Sequence, residues 1–155
     1  MPFADELLEQ ARHLAHREKK RPRQASLRRA VSTAYYAIFH LLIADAAKNW
    51  RRAEQRHALA RSFNHGRMKV ASQKIGKPQN IPPSSPEDHL RLVATIFIRA
   101  QQQRLTADYD NSIPWTRLEA LTQIDTVAAA FQSWKIIRKE PIAQAYLFAL
   151  VVKDR

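Results

Sequence analysis

Residues 28–40 read RRAVSTAYYAIFH, and this stretch does most to decide how the chain folds. Side chains three or four positions apart share one side of a helix. Apolar residues occupy nearly every side of this helix, so we expect it to lie at the centre of a bundle. One stripe is polar, and it consists of Arg29, Thr33, Tyr36 and His40.

Two roles for this polar stripe stay open at the level of the sequence. A buried polar group without a hydrogen-bond partner costs about 1–3 kcal/mol. In the structural interpretation, Tyr36 and His40 therefore find partners inside the core. In the alternative, the stripe lines a cleft or a dimer interface.

The rest of the chain also favours helices, since its 155 residues include only two glycines and its eight prolines lie mostly where the helical pattern stops. Ser85, Pro86 and the acids after them are typical of a helix start. The predicted helices cover 2–20, 24–49, 53–73, 86–105 and 114–139, with a last short helix from Pro141 and a loop at 107–112. The sequence thus predicts an all-α antiparallel bundle of four to five main helices with a short extra C-terminal helix.

The length and the 45% share of hydrophobic residues fit one domain that spans residues 1–155. The absence of cysteine excludes disulfide scaffolds and cysteine-ligated metal sites. The N-terminus lacks a signal pattern, and the apolar run 34–47 is too short to cross a bilayer. We expect a cytoplasmic protein without membrane contact. No glycine-rich phosphate loop or complete metal-ligand set is present, so no cofactor and no metal are expected.

The charge is strongly positive: 26 basic and 14 acidic residues give a net charge of +12. Such an excess attracts a polyanion and speeds its capture. RNA, DNA or an acidic protein would satisfy it, and solubility alone is the plain alternative.

Two segments together resemble the HEPN superfamily, named for higher eukaryotes and prokaryotes nucleotide-binding. The stretch 28–40 is similar to the family's second-helix signature. The stretch RLTADYD at 104–110 looks like the segment that closes the fourth helix in one bacterial branch. The order and separation of the two segments agree with the family. The likeness extends over about 4–138 and leaves 140–155 as an extension.

The resemblance implies an antiparallel bundle that often dimerises, with kinship to RNA-cutting toxins and to proteins partnered by minimal nucleotidyltransferases. We therefore expect a homodimer that binds or cleaves RNA, in a toxin–antitoxin or defence module. The alternative is a non-catalytic module that dimerises and docks a nucleotidyltransferase or another acidic partner. Whether the chain is an enzyme stays open; a cleaving member would be a metal-independent endoribonuclease.

Active HEPN ribonucleases carry an arginine, four to six residues, and then a histidine. On this pattern His57 is the predicted proton-transfer group, and Arg51 or Arg52 holds the phosphate. One toxin variant has a tyrosine three residues after the histidine, but Ala60 stands there in this chain. A switch based on modification of that tyrosine is therefore not expected.

The predicted third helix also offers an RNA-facing surface. His57, Arg61 and His65 are spaced by four and would share one face of a continuous helix, while Arg56 and Arg67 add positive charge. A solvated basic face is the plain alternative.

A last group of polar residues belongs to the two family-like segments. It consists of Arg29, Tyr36, His40, Arg104, Asp108 and Tyr109. In the structural interpretation, the later three tie the fourth helix to the second through hydrogen bonds or an ion pair with Arg29 or His40. In the functional interpretation, they form a cleft wall beside Tyr36 and His40.

Overall fold

Helices form every regular element in residues 1–76 and 80–152, which are the residues that the computed structural model describes. In chain order they are α1 (Phe3–Ala15), α2 (Gln24–Lys48), α3 (Ala53–Arg61), α4 (His65–Ile75), α5 (Pro86–Tyr109), α6 (Arg117–Ile137) and α7 (Pro141–Val151). The prediction of an all-α bundle is confirmed, and the short C-terminal helix begins at Pro141 as expected.

Helix α2 is the centre of the bundle, and it packs against α1, α5 and α6. Its side chains Tyr35, Ile38 and Leu42 are fully buried. The whole helix has 25 residues and by length and composition alone would be long and apolar enough to cross a membrane, although the apolar run 34–47 within it is shorter. However, 72% of its most apolar window is buried by the other helices, so its apolar surface is used inside the bundle.

The predicted start of the fourth helix is correct, and α5 begins at Pro86. The Ser85 side chain accepts a hydrogen bond from the backbone N–H of Asp88 at 3.2 Å. The next helix, α6, starts at Arg117 rather than at Pro114, because Thr116 and Glu119 form a reciprocal capping box there.

Two helix ends differ from the prediction. Helix α1 stops at Ala15, and the Glu18 side chain then accepts hydrogen bonds from the Arg23 N–H and the Ser26 hydroxyl, which turns the chain towards α2. Helix α5 continues to Tyr109, so residues 107–109 are helical and not a loop. Ala107 is buried in a small apolar cluster with Leu27, which favours the extra helical turn.

The prediction of one helix over 53–73 is wrong, because the chain breaks between α3 and α4. The Asn64 side chain accepts a hydrogen bond from the Arg67 backbone N–H at 3.1 Å and so caps the start of α4. As a result, His57 and His65 lie on different helices, and the proposed shared face of His57, Arg61 and His65 does not exist.

Arg28 joins the start of α2 to the segment between α5 and α6. Its Nη1 donates to the carbonyls of Ala107 at 3.0 Å and Asp110 at 2.8 Å, and its Nη2 donates to the Ile113 carbonyl at 2.7 Å. The side chain is half-buried, whereas Arg29 beside it is exposed. The structural tie that we expected from Arg29 is therefore made by its neighbour.

We predict that Arg28→Ala lowers the free energy of unfolding by about 1.5–3 kcal/mol, because three carbonyl acceptors lose their charged donor. The matched variant Arg29→Ala removes the same charge from an exposed position and should change it by less than about 0.5 kcal/mol. Urea unfolding of both variants at one pH tests this. Equal losses would contradict a specific role for Arg28.

Helix α7 supports α4 from the side. The Tyr146 and Ser72 hydroxyls are fully buried and lie 2.6 Å apart, and the Ser72 hydroxyl also donates to the Met68 carbonyl. At the other end of the contact, Arg67 Nη1 donates to the Val151 carbonyl at 2.8 Å. The extension beyond the family-like part of the chain thus fixes the position of α4.

This buried hydroxyl pair gives a second stability prediction. Ser72→Ala should cost about 1–3 kcal/mol, because it leaves the Tyr146 hydroxyl buried without a partner. Adding Tyr146→Phe removes that hydroxyl and should recover part of the loss. A double-mutant cycle by urea unfolding measures this recovery, and strictly additive losses would rule out the coupling.

Candidate nucleic-acid interface

A basic stretch surrounds α3 and α4. Residues 46–85 contain nine lysines and arginines and a single acid, Glu54. Helix α3 has no buried residue; its His57 and Arg61 are exposed, and its Arg56 is half-buried. The excess positive charge of the chain is therefore concentrated in part in this stretch of the sequence.

The predicted ribonuclease residues lie in this stretch, just before α3 and within it. Arg51, Arg52 and His57 are all exposed, and Arg52 is the residue that precedes the first turn of α3. Arg52 has an extended backbone there, and His57 lies five positions later within α3. Among the described residues, no hydrogen bond joins Arg51 or Arg52 to His57.

The predicted RNA-binding residues have separate surroundings. Arg61 is exposed at the end of α3. The Arg56 Nε donates to the Trp50 carbonyl, and Arg67 holds the end of α7. His65, by contrast, is half-buried and begins α4.

His65 meets the central helix. Its Nδ1 lies 2.5 Å from the hydroxyl oxygen of Tyr35, which is fully buried. Its ring stacks on Phe39, with centroids 4.5 Å apart and an interplanar angle of 22°. Tyr36 approaches the same ring edge-on at 6.2 Å. His65 is therefore fixed by aromatic packing and by one hydrogen bond.

Arg104 closes the same site from α5. Its guanidinium carbon lies 5.2 Å from the ring centre of Tyr35 and 5.7 Å from that of Tyr36, within cation–π range. Its Nη1 donates to Asp108 Oδ2 at 3.4 Å, and the Ser32 hydroxyl donates to the same oxygen at 3.3 Å. Its Nε is buried and has no hydrogen-bond partner within the described ranges.

We call this assembly the His65–Arg104 cluster. Its members are Ser32, Tyr35, Tyr36, His65, Gln101, Arg104 and Asp108. It unites Tyr36, Arg104 and Asp108 from the expected cleft with His65 from the expected basic face. Ser32, Tyr35 and Gln101 were not among the predicted site residues.

Other expected members of the cleft lie elsewhere. His40 packs against Phe3 and Phe39, with ring centroids 5.0 and 5.4 Å away. Arg29 and the exposed Tyr109 border a neighbouring pocket of about 360 Å³, which Asp108 also lines. The expected ion pair of Asp108 with Arg29 or His40 is wrong, because Asp108 pairs with Arg104 and with Ser32.

The residues of the polar stripe on α2 are exposed or half-buried. Thr33, Tyr36 and His40 are half-buried, and Arg29 is exposed. Tyr36 and His40 make no side-chain hydrogen bond to any residue in the described part of the chain. The interpretation that both are satisfied inside the core is therefore wrong, and the stripe follows the rim of the bundle.

The electrostatics keep His65 neutral. Burial lowers the pKa of His65, and the charge of Arg104 lowers it further. Burial raises the pKa of Tyr35, so its hydroxyl stays protonated. Within the described residues, the Tyr35 hydroxyl has only His65 Nδ1 as acceptor. We therefore assign the tautomer in which the Tyr35 hydroxyl donates to Nδ1 and the neutral imidazole carries its proton on Nε2, where that atom is a hydrogen-bond donor.

Comparison of the chain with protein families, with curated proteins and with solved structures gives no match. The HEPN likeness accordingly rests on the two sequence segments. Both contribute to the cluster: the first supplies Tyr35 and Tyr36, and the second supplies Arg104 and Asp108. Among residues 1–76 and 80–152, no three His, Asp or Glu side chains are grouped as metal ligands.

The lowered pKa of His65 is directly testable by NMR titration of its ring protons. We expect a pKa below the ordinary value of about 6.5, and we expect Arg104→Gln to raise it. Arg99→Gln removes a charge from an exposed part of the same helix and should leave it unchanged.

The same shift predicts a pH effect on stability. Because the folded chain binds the proton more weakly, the unfolded chain takes it up first as the pH falls below about 6.5. The free energy of unfolding should therefore decrease on acidification through this range. A pKa of His65 at or above 6.5 in the folded chain would contradict the assignment.

Proposed function

We propose that this chain is a HEPN-type protein that binds single-stranded RNA across α3, the start of α4 and the end of α5. The observation that carries the proposal is the Arg104 guanidinium, which lies over Tyr35 and Tyr36 beside His65. A cation, an imidazole N–H and a half-buried aromatic ring then meet next to a stretch with nine basic residues and one acid.

Each of these groups has a matching partner in RNA. Arginine binds phosphate with charge-assisted hydrogen bonds, and Arg104 keeps 12% of its side chain exposed for such a contact. The Tyr36 ring offers a surface on which an unpaired base stacks. The Nε2–H of His65 donates to a phosphate or base oxygen. The exposed arginines before and within α3, namely Arg51, Arg52 and Arg61, supply the long-range attraction.

The cluster suits binding better than cleavage. Metal-free RNA cleavage needs a group that accepts the proton of the 2′-hydroxyl. His65 offers a donor instead, because its Nδ1 is already engaged by Tyr35. Ribonuclease activity at His57, with Arg51 or Arg52 as phosphate holder, stays a separate prediction from the resemblance.

The binding proposal is tested with a fluorescent single-stranded RNA. Arg104→Gln should weaken binding about tenfold, because it removes a phosphate contact and one positive charge. It should also reduce the slope of log K against the logarithm of the salt concentration by about 0.7. Lys20→Gln removes the same charge from an exposed position between α1 and α2, and it should change affinity less than about twofold. Thermal unfolding confirms that both variants are folded.

Salt-insensitive binding by the wild type, or equal losses in the two variants, would contradict the proposal.

The same RNA also tests cleavage by the wild type and His57→Ala. Cleavage that His57→Ala abolishes would support the ribonuclease prediction. No cleavage, or equal cleavage by both, would contradict it.

The other expectations stay predictions: a homodimer, a cytoplasmic location, and a toxin–antitoxin or defence role. The alternative function also stays a prediction, namely a non-catalytic module that docks a nucleotidyltransferase or another acidic protein. A wild-type chain that does not bind RNA but co-purifies with such a partner would favour the alternative.

A further inference from the structure

One of the three tryptophans of the chain, Trp50, faces solvent. It is 52% exposed, whereas Trp115 and Trp134 are buried. Tryptophan is highly buried on average in folded proteins, because its large ring gains free energy when it leaves water. Trp50 lies in the turn between α2 and α3, directly before Arg51 and Arg52. Its indole therefore offers a ring surface to a ligand at the start of the basic stretch.

Two hydrogen bonds hold Trp50 in this turn. Its indole Nε1–H donates to the side-chain oxygen of Gln55 at 2.5 Å. Its backbone carbonyl accepts from Arg56 Nε, also at 2.5 Å. Because Gln55 and Arg56 belong to the start of α3, the ring is positioned before a ligand arrives, which lowers the entropy cost of binding. The indole N–H already has its acceptor, so the ring face is the part that is left for recognition.

The surroundings of this ring are cationic and contain little other apolar surface. Residues 48–56 read KNWRRAEQR, with four basic residues, the acid Glu54, and Ala53 as the one apolar residue besides the tryptophan. The side chains of Arg51 and Arg52 are exposed, and neither makes a hydrogen bond or an ion pair with a residue in the described ranges. Both can therefore bind anions beside the ring.

This combination fits a nucleotide better than a protein or a membrane. The centre of a protein interface is apolar and excludes water around its anchor residues, and a helix that binds membranes presents a continuous apolar face. A single ring among cations provides neither. An unpaired base, by contrast, has a π face that stacks on an aromatic side chain, and the phosphates beside it pair with arginine.

The spacing of the groups also suits a nucleotide. Consecutive Cα atoms are about 3.8 Å apart, so those of Arg51 and Arg52 lie within about 8 Å of the Trp50 Cα. In a nucleotide, one sugar separates the base from its phosphate. The long arginine side chains can therefore reach the phosphates next to a base that stacks on the indole.

We propose that the α2–α3 turn is a second RNA contact, at which an unpaired base stacks on Trp50 while Arg51 and Arg52 bind the adjoining phosphates. Stacking uses the π face that every base has, so this contact tolerates any base sequence. The inference rests on the RNA-binding function proposed above and extends it to a surface outside the His65–Arg104 cluster. It does not require cleavage at His57.

Tryptophan fluorescence tests the contact, because Trp50 is the tryptophan that a base can reach. Saturating oligo(U) should quench the emission of the wild type, and Trp50→Phe should remove this quenching while it keeps the affinity within about threefold, since a ring remains for stacking. Trp115→Phe is the matched control. The indole N–H of Trp115 is buried without a partner in the described part of the chain, so this change breaks no hydrogen bond, and the quenching should persist.

The anisotropy of a fluorescent oligo(U) gives the affinity as a second readout. Trp50→Leu should weaken binding at least about fivefold, which is the effect of losing one stacked base. Arg104→Gln should weaken binding but leave the quenching at saturation unchanged, because Trp50 is intact in that variant. Thermal unfolding confirms that each variant is folded.

The outcomes separate the two proposals. If the wild type binds no RNA, the RNA-binding function and the contact that rests on it are both wrong. If RNA binds without quenching, or if Trp50→Leu binds as tightly as the wild type, the stacking contact is wrong while RNA binding stands. Poly-glutamate of the same charge should leave the emission unchanged. Equal quenching by poly-glutamate would show that the turn accepts any polyanion, including an acidic protein, and would overturn base stacking.

Discussion

The hydrogen bond between Tyr35 and His65 is the interaction on which the rest of the site depends. Helix α2 is apolar on nearly all sides, so its neighbours must cover it completely, and any polar atom that it carries inward must find a partner. The Tyr35 hydroxyl is such an atom, and α4 supplies the partner with its first residue. The break between α3 and α4 lets a new helix begin at this position, and the contact with α7 keeps it there.

The position of His65 places it beside the charge of Arg104. Arg104 lies over the faces of Tyr35 and Tyr36, which offsets part of the cost of burying its charge, and Asp108 offsets more. The same positive charge disfavours a second charge on His65 and so lowers its pKa. The residues that hold three helices together are therefore also the ones that give this face its donors and its charge.

A feature of the fold or of the candidate site could be predicted from the sequence where its signal lies within the same helix. The start of α5 was predictable, because Ser85 and Pro86 act on their own helix. The break before α4 had a local signal in Asn64, which the basic and helical character of the flanking residues outweighed. No local signal in the sequence indicated that Arg28, and not Arg29, would tie α2 to the α5–α6 segment. Both side chains suit a helix surface equally, and only the position of the α5–α6 segment decides which one finds acceptors.

The sequence by itself determined the helical class, the central place of α2 and the surplus of positive charge, because helical periodicity and composition act locally along the chain. It also marked residues 28–40 and 104–110 as the segments that matter. Only the tertiary structure decided that His65, rather than His40 or His57, joins Arg104 and Tyr36. The physical reason is that periodicity gives the direction of a side chain around its own axis but not the identity of the helix that it meets. That choice was made by the burial of Tyr35 and by the packing of α4 between α5 and α7.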